Sequence, residues 1–308
     1  GSGMAVSKSF VIWAERYLQN KHFGKHQECN TRCLIDKVTR FEDEHKHPMN
    51  IDSMTADDLR VFADFLSSDY DISMNTIVTN MTLMRTVCNW VRKQGVTNND
   101  PFFGYDMPKA LYGTPYFLTI QERDQVLDAD LTDDAELAEY RDMFVFQCMV
   151  GCRHSDLVTF TPKNIIDGVL EYIPIKTKGK LGDVVRVPLI PKAMAILDGH
   201  DHGDDEPIFP KHYNFKFNDA IRRILKRAKV NRVVTVINPK TRLEEKKPIS
   251  DVATSHLARR TFIGNLYRMV KDPDLVASMS GHAKGSVAFA RYRVIDDDMK
   301  KSLVELIQ

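Results

Sequence analysis

Gly281-His282-Ala283-Lys284-Gly285-Ser286-Val287-Ala288-Phe289-Ala290-Arg291-Tyr292, near the C-terminus, is the stretch around which the rest of the chain can be read. Alone it carries little, because tyrosines usually pack with the ring buried and the hydroxyl wet. Its weight comes from two stretches upstream, Ser255-His256-Leu257-Ala258-Arg259-Arg260-Thr261-Phe262 and Gly151-Cys152-Arg153-His154-Ser155-Asp156-Leu157. Together they bring arginines, histidines and a phenol, groups suited to neutralising and activating a phosphodiester.

Spacing refines that reading. His256 and Arg259 stand three apart in a helical pattern, so both side chains leave the same face and can address one phosphate. Arginine fits a pair of non-bridging oxygens bidentately, and two arginines from separate segments, Arg153 and Arg259, would oppose the charge building on a pentacoordinate phosphorus. Arg153 falls at the start of a helix that continues through Ser155-Asp156-Leu157, the end where a cation works against the dipole. A residue that breaks a local rule is a site candidate; the bland reading is a salt bridge to a nearby acid. A nucleophilic tyrosine must lose its proton although its free pKa is about 10, and a cationic pocket helps by stabilising the phenolate.

Composition bounds the alternatives. The 308 residues are 43% hydrophobic and 28% charged, ordinary for a globular chain with room for two cores. No run of apolar residues is long enough to span a bilayer and no secretory leader is visible, so a cytoplasmic protein without membrane contact is expected. Gly1-Ser2-Gly3 ahead of Met4 reads as a remnant of expression. The five cysteines, at 29, 33, 88, 148 and 152, form no Cys-x-x-Cys pair and are read as reduced, buried small hydrophobes. His200 and His202, in an acidic loop, read as a solvated turn, and no metal or other cofactor is expected. The net charge of +1 hides a marked asymmetry: Lys211 to Arg242 holds ten Lys or Arg against one acid, Asp219.

Taken in order, the first hundred residues read as four helices without strands, at about 8–21, 27–46, a third opened by the capping residue Thr55, and 73–94 stopped by Gly95. Thr76, Thr79, Asn80, Thr82, Arg85, Asn89 and Lys93 on the fourth are candidate phosphate contacts. A turn-rich stretch from Asn98 to Pro115 separates this domain, 4–105, from a second, 115–308, that opens with the capping box Thr119-Ile120-Gln121-Glu122. A helix follows at about 132–149. The period then changes to two at 169–175 and 184–189, a hairpin with a lysine-rich tip, and a second hairpin is expected from Arg232–Ile237 with Lys246–Ile249. Helices are expected at about 212–229, 254–270, 273–280, 285–292 and 296–307, the last an amphipathic tail with Met299, Leu303, Leu306 and Ile307 on one stripe.

The order Arg153, His256-x-x-Arg259, Gly281-His282, Tyr292 resembles the tyrosine recombinases, the phage-integrase family of DNA strand-exchange enzymes. The likeness covers essentially the whole chain and implies a mainly α fold with small β hairpins, in which a helical core-binding domain precedes a mixed α+β catalytic domain. It implies that Arg153, His256, Arg259 and His282 activate a phosphate, that Tyr292 is the nucleophile, and that the first hairpin carries the general acid: Lys176, which precedes Thr177, with Lys178 the alternative. Two departures are visible: the His282-to-Tyr292 interval is one residue longer than the commonest, and His154-Ser155-Asp156 follows Arg153 where Ser-Glu is more usual. The resemblance further implies cofactor-free breakage and rejoining of double-stranded DNA at a specific site, by a homotetramer assembled on DNA from free monomers. Arg222, Arg223, Lys226 and Arg227 on the basic helix, Lys178 at the hairpin tip and Arg85 are the candidate DNA contacts. Two other classes share part of the pattern: a type IB topoisomerase-like enzyme, and a catalytically silent DNA-binding protein on the same scaffold.

Overall fold

Short polar side chains start the helices of the first half. In the computed structural model, the Ile12 amide donates to Ser9 Oγ at 3.5 Å and the Thr76 amide to Ser73 Oγ at 3.2 Å, satisfying donors a helix start leaves without partners. Thr55 and Asp58 exchange both bonds of a capping box, at 3.2 and 2.9 Å. The helices they open are α1 (Phe10–Asn20), α3 (Ala56–Asp69) and α4 (Met74–Lys93); α2 (Lys25–His45) lies between. The structure describes residues 7–70, 72–177, 184–200, 202–211, 214–270, 272–282, 287–292 and 304–307, with the side chains of 177, 214, 287 and 288 excepted.

The chain separates into two compact units, residues 1–112 with 237–244, and 113–236 with 245–308. In the first, the apolar stripes of the four helices meet in one core: Phe10, Trp13 and Tyr17 against Leu34, Val38 and Phe41, closed by Phe62, Leu66, Met81 and Val87. Two expectations fail here. Asn80 is buried rather than turned to solvent, its Nδ2 donating to Thr76 O at 2.8 Å, the local bond that a mid-helix amide makes when it cannot reach water. Cys29 and Cys33 are exposed, because the buried phase of α2 runs through Thr31, Leu34, Ile35 and Val38; Cys88, Cys148 and Cys152 are buried as expected. The segment 237–244 joins this unit by a backbone bond, Met74 N donating to Pro239 O at 3.2 Å, and by a side-chain bond, Arg242 Nη2 donating to Lys109 O at 3.0 Å.

The second unit is built around α6 (Ala135–Val150), which is buried on almost every side from Leu137 to Val150, as befits a helix apolar all round. Packed against it are α5 (Ile120–Leu127), α8 (Pro191–Asp198), α9 (Asn214–Arg227) and α11 (Ser255–Met269). The short helices α7 (His154–Leu157), α10 (Ile249–Val252), α12 (Pro273–Ser280) and α13 (Val287–Ala290) complete its helical part. The expected first hairpin is present as β2 (Val169–Tyr172) and β3 (Val185–Pro188), with Leu170 opposite Val187; Ile165–Ile166 adds a third antiparallel strand, β1. Val185 and Val187 point inward while Arg186 and Pro188 face out, the period of two that marked the segment. Beyond Tyr172 the chain leaves the strand for a 3-10 turn at Ile175–Thr177. The second hairpin is β4 (Val233–Ile237) with β5 (Glu244–Pro248). The fold is therefore mainly helical with small antiparallel sheets, as the sequence implied. Of the expected helix at 285–292, residues 285 and 286 lie outside the described residues and the rest is helical over α13; most of the expected tail helix, 296–307, also lies outside them.

Candidate active site

Gly151 is where two elements meet to begin the site. It ends α6 in the left-handed conformation, φ 75°, and a Cβ there would lie 2.2 Å from the Phe262 ring, so α11 can cross only over a glycine. The crossing brings Arg259 down onto the turn, where its Nη1 donates to Gly151 O at 2.7 Å. Nη2 lies 3.3 Å from His282 Nδ1 and 3.4 Å from Nε2. His282 is delivered the same way: Gly281 closes α12 at φ 69°, and the His282 amide donates to Ala277 O at 3.1 Å. Ser280 Oγ, fully buried, is 2.8 Å from His282 Nδ1 and 3.2 Å from Ala277 O. With the hydroxyl proton on that carbonyl, the serine accepts from Nδ1–H and leaves Nε2 as the acceptor facing Arg259 Nη2.

Arg153 occupies the N-cap position of α7, its carbonyl accepting from Asp156 N at 3.0 Å and Leu157 N at 2.9 Å. Its guanidinium is turned toward the Gly281 turn: a Cβ on Gly281 would lie 3.9 Å from Arg153 Nη1. Among the described residues no carboxylate forms an ion pair with it, so the salt-bridge reading of Arg153 fails there. Asp156, 2% exposed, instead accepts from Ile175 N at 2.9 Å and thereby ties α7 to the turn that carries Lys176. Burial raises the Asp156 pKa, with that amide bond and the charges of Arg153 and Arg259 opposing.

The cations act on one another. Burial and then Arg153 push the Arg259 guanidinium down to about 10. His282 is pushed down to about 3 by desolvation and then by Arg259, Arg153 and Lys176. His256, open at its outer edge but packed on its inner side, falls to about 4 by desolvation and then by Arg260, Arg259, Arg153 and Lys176. Tyr292, 4% exposed, sits against Phe289 and Tyr267 at ring separations of 6.1 and 6.4 Å. Desolvation raises its pKa to about 12, opposed by Arg260, Arg259 and Arg291. Arg153, Lys176, His256, Arg259, His282 and Tyr292 thus come together from five separate stretches. Sequence reading missed Asp156, Ser280 and Arg260, which hold these groups rather than belonging to the motif; only Asp156, in a helix start three residues past Arg153, carried any local signal.

The candidate DNA contacts are more scattered. α9 buries Phe217, Ala220, Ile221, Ile224 and Leu225 and presents its cations on the opposite side. Arg222 is half-buried, while Arg223 pairs with Asp219 at 3.3 Å, Lys226 with Asp251 at 3.4 Å, and Arg227 with Asp133 at 2.6 Å. Arg85 is exposed on α4, and Lys178 lies outside the described residues. His200 is not a solvated turn residue: it bonds Asp142 Oδ2 at 3.1 Å and packs edge-on to Phe209. Among the described residues no group of three His, Cys, Asp or Glu is placed to hold a metal ion.

Comparison with known proteins shows the family and the fold. Residues 116–299 match the phage integrase family and residues 9–107 the phage integrase SAM-like domain. No curated protein matches the chain. Among solved structures, the Tn1549 transposon integrase in complex with a circular intermediate DNA superposes with a TM-score of 0.69 at 15% identity, covering 96% of this chain and 99% of that one. A lambda integrase dimer bound to a COC' core site gives 0.66 at 14%, covering 92% and 94%. A lambda integrase tetramer bound to a Holliday junction gives 0.62 at 14%, covering 92% and 76%. At such identities the likeness establishes the fold, and it is the family match, reaching past Tyr292 and over more than half of the sequence, that makes this chain a member of the phage integrase family.

Proposed function

We propose that the protein is a site-specific DNA recombinase that breaks and rejoins DNA through Tyr292. The observation that carries this is a cluster of basic groups around the buried Arg259: desolvation and then Arg153 lower Arg259, and desolvation followed by the charges of the neighbouring arginines and Lys176 lowers His256 and His282. Like charges gathered out of water are costly unless an anion completes them, and a phosphodiester is the anion whose oxygens match two guanidinium forks. In this reading Arg153 and Arg259 bind the non-bridging oxygens, with His256 and His282 beside them. The Tyr292 oxygen attacks phosphorus as its proton leaves, a new P–O bond forms to the phenol, and the bond to the 5′ oxygen breaks. Lys176 gives that oxygen its proton. The DNA 3′ end is then a phosphotyrosyl ester, and the 5′ hydroxyl of a partner duplex reverses the step, through a four-way junction held by a homotetramer of this chain. The proton lost by Tyr292 passes to water, Lys176 gives one to the 5′ oxygen, and the arginines supply the charge, so the scheme calls on no cofactor.

The test is a nicked half-site substrate that loses its 5′ fragment after cleavage and traps protein on DNA. Wild type should form a covalent adduct and Tyr292→Phe should form none while still shifting DNA. Absence of adduct in wild type would favour the catalytically silent scaffold. Relaxation of supercoils without exchange between duplexes would favour the topoisomerase-like reading.

A further inference from the structure

The segment Gly113–Tyr116, the first residues of the second unit, is gripped from two sides by arginines that neighbour site residues in sequence. Arg291, just before Tyr292, donates Nη2 to Gly113 O at 3.0 Å. Arg260, just after Arg259, donates Nε to Tyr116 O at 3.0 Å and lays its guanidinium over the Tyr116 ring, 4.6 Å from the centroid. Tyr116 Oη in turn donates to Val252 O at 3.3 Å, and the next residues continue the attachment along α11, with Leu118 N on Thr261 Oγ1 at 3.1 Å and Asn265 Nδ2 on Leu118 O at 2.9 Å. Phe117 closes against Gly264, where a Cβ would meet its ring at 2.6 Å. The segment is thus a strap fixed along α11, and its two arginine grips reach the nucleophile's own turn.

Arg260 has no part in the motif that identified the site. Its Nη2 is buried and has no hydrogen-bond partner among the described residues, a costly state for a charged group. Of the cations that act on Tyr292, Arg260 comes first, ahead of Arg259 and Arg291. A cation that is anchored by Nε and by its ring contact, with one donor uncommitted, has a fixed place from which to act on the phenol.

We propose that Arg260 and Arg291, locked on the Gly113–Tyr116 strap, are positioning residues for Tyr292: Arg291 fixes the backbone turn that presents the phenol, and Arg260 holds a cation beside the phenolate. This rests on the reading of Tyr292 as the nucleophile. Among the described residues, the groups that act on or pack against that side chain are Arg259, Arg260 and Tyr267 from α11 and Phe289 and Arg291 from its own segment.

The experiment follows adduct formation on the trapping substrate across pH for wild type, R260Q, R260K, R291Q and Tyr292→Phe, with gel-shift affinity and thermal unfolding measured on each. R260Q and R291Q should keep DNA affinity and lose about 10²-fold in adduct rate, the cost of a nucleophile held slightly out of line. In R260Q the alkaline rise of the rate should also move to higher pH, because the phenol has lost a cation that opposes its raised pKa, whereas R260K should keep that pH dependence. Near-wild-type rates in R260Q and R291Q with an unmoved profile would overturn the proposal. Adduct formation by Tyr292→Phe would instead overturn the underlying reading. If R260Q does not fold, Tyr116→Ala, which removes the ring beneath the guanidinium, carries the same expectation of a slowed reaction, and an unchanged rate there overturns it.

Discussion

Arg259 is the side chain on which most of the site's geometry converges, since one nitrogen is spent on Gly151 O and the other faces His282. A lysine in its place retains a charge but cannot serve two partners and a phosphate at once. Arg259→Lys should therefore lose about 10²–10³ in cleavage rate with little change in gel-shift affinity. The two histidines give a pH signature of the free protein. Their folded pKa values, about 4 for His256 and about 3 for His282, lie below the unfolded value of about 6.5. Between those limits the unfolded chain binds more protons, so stability rises with pH. Thermal unfolding should come earlier at pH 5 than at pH 7, and His282→Gln should flatten that difference. These residues were legible in the sequence because the chemistry demands their identity and fixes their spacing. Asp156, Ser280 and Arg260 were not, because a residue that only orients another is constrained by the fold and leaves no motif.

At the scale of elements, caps and periods told the truth where the signal is local. Thr55 and Thr119 start helices, and the period of two marks β2 and β3. Contact across the fold is what the sequence hides. Nothing in Gly151 announces that the ring of Phe262 rests on it, yet that contact sets where α11 crosses α6 and hence where Arg259 arrives. Gly151→Ala must accept a left-handed backbone and displace an aromatic ring, so a loss of about 2 kcal/mol or more is expected. Urea unfolding measures it, and Gly95→Ala, whose Cβ would meet nothing within 4 Å at a similar φ of 72°, separates the backbone cost from the packing cost.

Over the whole molecule, the attachment of residues 237–244 to the first unit was invisible, because no periodicity links a hairpin tip to helices so far upstream in the chain. The C-terminal tail belongs to this scale as well. Its described part leaves Val304, Leu306 and Ile307 exposed, at 58%, 81% and 83%. A short amphipathic helix is marginal alone and must cover its stripe. Deleting 297–308 should leave binding to a single half-site intact while cooperative binding to paired half-sites and recombination fall; gel-shift titration on one and two half-sites reads this directly.

The ion pairs of α9 have a consequence for how the protein meets DNA. Arg223, Lys226 and Arg227 each already hold a carboxylate of this chain, so the helix carries tethered counterions in place of mobile anions. When a phosphate displaces Asp133 from Arg227, the aspartate stays attached, and no gain in ion entropy comes from the protein. Asp133→Asn should tighten binding to unrelated DNA more than to a cognate half-site. The native pairs would then work as a brake on indiscriminate adhesion, keeping the chain searching along a genome rather than resting on it.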